Sequence, residues 1–94
     1  MHRLPYVWDY DIDEATFDEL LSGRQTLGRL GRDWAAVRLL DYAPYEEIIR
    51  KLGFPALIEG WPRWRPRIRS EGRRRGFDWL VRWLPECYPE LLGD

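Results

Sequence analysis

The stretch Arg32-Asp33-Trp34-Ala35-Ala36-Val37-Arg38-Leu39-Leu40-Asp41-Tyr42-Ala43-Pro44-Tyr45-Glu46-Glu47-Ile48-Ile49-Arg50-Lys51-Leu52-Gly53 decides the fold. Leu30, Trp34, Val37 and Leu40 recur at i, i+4, i+7 and i+10, and Ala36, Leu39 and Ala43 widen that face, which is the period of an amphipathic helix. Pro44 ends this helix and suits the first position of the next, where its missing N–H costs nothing. In the second helix Tyr45, Ile48, Ile49 and Leu52 form the apolar stripe. Glu46 and Glu47 stand in its first turn, Arg50 and Lys51 in its last, and Gly53 follows, the polarity that a helix dipole favours. Residues 32–53 therefore predict an antiparallel helical hairpin.

Working outward, Asp13 reads as an N-cap and Phe17, Leu20 and Leu21 as the buried stripe of a short helix stopped by Gly23. Residues 24–31 read as a loop. Residues 1–12 read as an extended N-terminal arm, with Tyr6, Trp8 and Tyr10 alternating against Val7, Asp9 and Asp11. After the hairpin, residues 54–60 predict a short helix begun by Pro55 and stopped near Pro62. A last helix is expected over 66–84, with Phe77, Leu80, Val81 and Leu84 facing the core and Arg67, Glu71, Arg74, Asp78 and Arg82 forming a ladder of ion pairs. A third stripe, Ile68, Gly72, Gly76, Trp79 and Trp83, sets two glycines before two indoles. The expectation is an all-α single domain over residues 1–94, of four to five helices around the central hairpin.

The 94 residues leave no room for a second core. A domain of this size hides only about 60 to 65% of its unfolded surface. Six tryptophans, five tyrosines and three phenylalanines are thus hard to place in one interior, and some should face a partner. Charge is uneven: residues 1–62 carry −4, the arginine-rich segment 63–76 carries +6 and residues 77–94 carry −3, for a net −1.

The inventory argues against catalysis. Asp9, Asp11 and Asp13 form a DxDxD run, but an EF-hand needs glycine at the sixth position and glutamate at the twelfth, which here are Glu14 and Leu20. His2 is the single histidine and Cys87 the single cysteine, so no Cys/His or Ser/His pair and no CxxC knuckle can be assembled. A non-enzyme with no cofactor and no metal is expected. No run approaches the roughly 18 apolar residues of a membrane span and no signal-type apolar region opens the chain. A cytoplasmic protein without membrane contact is expected.

The strongest binding signal is Trp61-Pro62-Arg63-Trp64-Arg65-Pro66-Arg67-Ile68-Arg69, continuing into Arg73-Arg74-Arg75. Arginine and tryptophan dominate protein-interface hot spots, and the same pair suits single-stranded nucleic acid, with guanidinium on phosphate and indole on base. Alternatively the acidic arm neutralises the block internally. Residues 46–54 also read like the start of a helix-turn-helix, although the following segment is too apolar and short for a base-reading helix. The expected partner-binding residues are Trp8, Trp61, Arg63, Trp64, Arg65, Arg67, Arg69, Arg73, Arg75, Trp79 and Trp83. A protein partner leads; a nucleic acid and a homodimer built on the Gly72/Gly76 stripe are the alternatives.

Trp8-Asp9-Tyr10-Asp11, residues 32–43 and Tyr45-Glu46-Glu47-Ile48-Ile49-Arg50 together resemble small bacterial antitoxin-like proteins encoded beside abortive-infection-type nucleotidyltransferase toxins. The resemblance covers the first two thirds of the chain and assigns no role to the arginine segment or the last helix. It implies a non-catalytic protein that binds and occludes a partner enzyme, a nucleotidyltransferase-type toxin.

Overall fold

The computed structural model describes residues 5–7 and 12–87. Among these the protein is all-α, with helices α1 (Glu14–Ser22), α2 (Arg32–Tyr42), α3 (Tyr45–Lys51), α4 (Phe54–Trp64) and α5 (Glu71–Cys87), and short 3-10 turns at Pro5–Val7 and Arg65–Arg67. No described helix is long and apolar enough to cross a membrane.

Local chemistry explains most of the boundaries. The Asp13 carboxylate accepts the Thr16 amide at 2.9 Å, satisfying an orphan donor of the first turn of α1. Gly23 ends α1 at φ 82° and Gly53 separates α3 from α4 at φ 84°, a region that favours glycine because it has no Cβ. Ala43 turns into extended backbone, and Pro44 occupies the N-cap of α3 rather than its first helical position.

Several boundaries differ from the sequence expectation: Pro5–Val7, read as part of an extended arm, is a 3-10 turn, and α5 continues past Leu84 to Cys87. Helix α4 runs through Pro62 to Trp64. Proline there removes the bond to the Ile58 carbonyl, but Trp61 and Trp64 are buried on either side of it and hold the last turn in place. Helix α5 begins at Glu71, not near Pro66, because the amides that would continue a helix backwards are committed elsewhere. The buried Asp41 carboxylate accepts Arg69 N at 3.0 Å and Ser70 N at 3.1 Å. The Ser70 hydroxyl then accepts the Arg73 amide as a cap.

The core joins all five helices. Phe17 and Leu20 of α1, Leu39 and Leu40 of α2, Ile48 of α3, Leu57 and Trp64 of α4 and Leu84 of α5 are fully buried, together with Val7. Tyr6 and Val7 lie on this core: Tyr6 sets its ring edge-on to Phe17 at 5.4 Å and donates its hydroxyl to Glu47 at 2.8 Å. Burial, reinforced by Glu47, raises the Tyr6 pKa. The most extensive helix packing is of α1 on α2, while α2 and α3, joined at Ala43-Pro44, pack on each other much less. Lys51 ties α3 back to α1 through Asp18 at 2.7 Å and Glu14 at 2.8 Å. Burial of its side chain opposes the charge, but the two carboxylates outweigh it and its pKa is raised.

Candidate partner-binding site

The two tryptophans of the arginine segment point inward. Trp61 and Trp64 lie one turn apart on α4 with relative exposures of 4% and 0%. A buried indole needs an acceptor for its N–H, and each finds an aspartate distant in sequence. Trp61 donates to Asp78 at 2.7 Å and Trp64 to Asp33 at 2.7 Å. Each carboxylate also takes an arginine: Arg65 binds Asp78 through Nε at 2.8 Å and Nη2 at 2.9 Å, and Arg63 binds Asp33 at 3.0 Å. The indole N–H holds the Asp33 carboxyl below the usual carboxylate range, helped by Arg63. Arg65, then Trp61, does the same for Asp78. The expectation that Trp61 and Trp64 face a partner is therefore corrected, since neither indole reaches the surface.

The arginines divide in two groups. Arg63, Arg65 and Arg73 hold partners within the fold, Arg63 through its Nε alone. Arg73 donates to the Leu40 and Ala43 carbonyls at 2.9 and 2.7 Å, where a cation suits the C-terminal end of α2. The expected ladder along α5 is replaced. Arg74 donates to the Ile68 carbonyl, Asp78 turns to α4 and the 3-10 turn, and Glu71 pairs at i, i+4 with Arg75, which stood outside the expected ladder. The Arg67 and Arg69 side chains are exposed and make no hydrogen bond or ion pair among the described residues. Trp8, Asp9 and Asp11 lie outside the described residues; the carboxylates that neutralise the block include Asp33 and Asp78.

The outer face of α5 is different. Trp79 is 59% exposed and stacks on half-buried Trp83, with centroids 4.9 Å apart and planes at 17°. A Cβ placed on Gly72 or Gly76 would meet nothing within 4 Å, so the helix backbone is open along the same stripe. Beside it lies an apolar groove of about 320 Å³ between α3 and α5, lined by Tyr45, Ile48, Arg73, Gly76, Phe77 and Trp79. Tyr45 is 48% exposed, although the sequence pattern placed it in the buried stripe of its helix. Its position directly after Pro44, at the outer edge of the corner, is the signal that would have found it.

The site can bind an apolar surface. Its indole pair offers flat area with few rotatable bonds, its groove offers depth, and the arginines nearby offer charge. Among the described residues no group of three histidine, cysteine or carboxylate side chains is placed to hold a metal ion. Compared with known proteins, the chain matches no family model, no curated protein and no solved structure.

Proposed function

We propose that this protein is a non-catalytic binding protein that docks a partner protein on the outer face of α5. The observation that carries this reading is Trp79, an indole left 59% exposed and stacked on Trp83 beside an apolar groove. A single exposed hydrophobic residue is ordinary, but a contiguous aromatic face with depth beside it is the kind of surface that associates. The occupant it fits is a helical segment whose apolar side chains pass over Gly72 and Gly76 and whose borders carry carboxylates. The face adjoins the segment 63–76, with its seven arginines and Glu71, and complementary charge speeds and orients docking. The resemblance of residues 8–11, 32–43 and 45–50 to antitoxin-like proteins supplies the class of partner, a nucleotidyltransferase-type toxin restrained by occlusion.

The test is co-expression with the product of the adjacent gene, followed by size-exclusion chromatography with light scattering. A heteromeric complex is expected. It should be lost on Trp79→Ala with Trp83→Ala, and also on Gly76→Gln, which fills the groove from a position with open space around it. Circular dichroism of each variant confirms that the helices persist. A complex that survives both changes, or a doubled mass of the protein alone that the same changes halve, overturns the reading; the second result assigns the face to a homodimer.

A further inference from the structure

A second feature lies apart from the α5 face and shares no lining residue with its groove. The turn before α2, the first turn of α2 and the end of α4 with its 3-10 turn enclose a cleft of about 480 Å³. Four arginines line it, Arg29, Arg32, Arg63 and Arg67, against the single carboxylate of Asp33. The local charge is therefore +3.

This cluster is organised from beneath. The buried Trp64 ring carries the Arg32 guanidinium at 5.8 Å from its centroid and that of Arg63 at 5.4 Å, so one indole positions two cations. Asp33 accepts both the Trp64 N–H and Arg63 Nε on the same oxygen, which leaves the Arg63 terminal nitrogens for another acceptor. Arg29 and Arg67 are exposed and have no ion pair among the described residues. The helix adds to the field. Gly31 at the cap of α2 brings no side-chain oxygen to the first-turn amides, and the positive end of an 11-residue helix opens on the same cleft. Four guanidiniums held around one cavity with one carboxylate repel one another, and a multiply charged anion relieves that repulsion while matching the planar fork of arginine.

We infer that this cleft is a binding site for two or more linked phosphate groups, those of a free oligophosphate or of a nucleic-acid strand. Arginine donates two parallel bonds to phosphate oxygens, and an opposed pair of arginines from 29–32 and 63–67 grips such a group from two sides. Trp61 and Trp64 are buried, so the arginine segment contributes charge and hydrogen bonds to binding.

The experiment uses the full chain and two probes, inorganic tripolyphosphate by calorimetry and a fluorescent single-stranded DNA 12-mer by anisotropy. At least one probe is expected to bind at low salt. Affinity should fall roughly tenfold or more on Arg29→Ala with Arg67→Ala, as expected for lost hydrogen bonds to a charged group. For the DNA, the slope of log affinity against log salt should drop by about one for each arginine removed. Arg82→Ala, an exposed arginine outside the cleft, leaves affinity unchanged. Tighter binding of tripolyphosphate assigns the site to a free oligophosphate, and tighter binding of DNA assigns it to a strand. Failure of both probes to bind, equal affinity in the double variant, or an equal loss in Arg82→Ala overturns the inference. None of these results bears on the α5 face, whose test has its own variants.

Discussion

Trp61 and Trp64 on α4 and Trp79 and Trp83 on α5 are alike in sequence and opposite in the folded protein. Both pairs sit about one helical turn apart and among arginines, and a glycine precedes each. On α4 the glycine is filled: a methyl on Gly60 would overlap the Trp64 ring, which folds over its own helix. On α5 the space over Gly72 and Gly76 is empty. The indole N–H groups of the first pair are satisfied by Asp78 and Asp33. Placing a tryptophan inside a small domain thus depends on a carboxylate from another helix being in reach, and on local backbone space for the ring. The α4 pair has both.

The largest test of this contrast is truncation. Trp64→Ala should destabilise the protein by about 3 to 5 kcal/mol, since it empties a fully buried site and leaves Asp33 with one fewer donor. Against a total stability of roughly 5 to 15 kcal/mol for a native domain, that places the variant near unfolding. Trp79→Ala should cost about 1 kcal/mol or less, the worth of one exposed aromatic stack. Urea unfolding midpoints decide the matter, and equal losses would break the division into buried and open pairs.

Glycine substitutions give the next effect and change sign between the regions. Gly60→Ala should destabilise by about 1 to 3 kcal/mol through overpacking against Trp64. Gly76→Ala should stabilise by up to about 1 kcal/mol, because α5 gains helix propensity at a site with no neighbour to strike. Thermal unfolding of the two variants in parallel is sufficient, and a stabilising Gly60→Ala would show that the ring does not cover that position.

The smallest expected effect concerns pH. Asp33 and Asp78 are both held below the usual carboxylate range in the folded protein, Asp33 chiefly by Trp64 and Asp78 chiefly by Arg65. A depressed folded pKa means that their contribution is complete above the unfolded value of about 4. It is lost as pH falls below that value and through the folded one. Both side chains are partly exposed, with relative areas of 42% and 33%, so screening keeps each contribution to about 1 kcal/mol or less. Unfolding midpoints from pH 6 to pH 2 should show a shallower acid limb for Asp33→Asn with Asp78→Asn than for the parent. An identical limb would show that the carboxylates under the α4 indoles carry no charge-dependent stability.

Much of the local structure was legible in the chain. The Asp13 cap, the stops at Gly23 and Gly53 and the buried positions Leu39, Leu40 and Ile48 follow from neighbours within a few residues. Helix α5 was misread at its start because the group that ends the preceding turn, Asp41, lies 28 and 29 residues from the amides it accepts. The α4 indoles were misread for the same reason, with acceptors 17 and 31 residues away. The open stripe of α5 was visible as Gly72, Gly76, Trp79 and Trp83. The contribution of Tyr45 to its groove was not, because that depends on how α3 and α5 meet.

By itself the sequence determined the all-α class, the caps and stops, and the positions of the apolar stripes, since these arise from backbone propensity and periodicity over one or two turns. Only the tertiary structure decided which tryptophans were covered, which arginines were consumed, and that Arg29 and Arg32 would meet Arg63 and Arg67 around one cleft. A buried polar group takes its partner from wherever the folded chain supplies one, and that pairing has no fixed spacing in sequence.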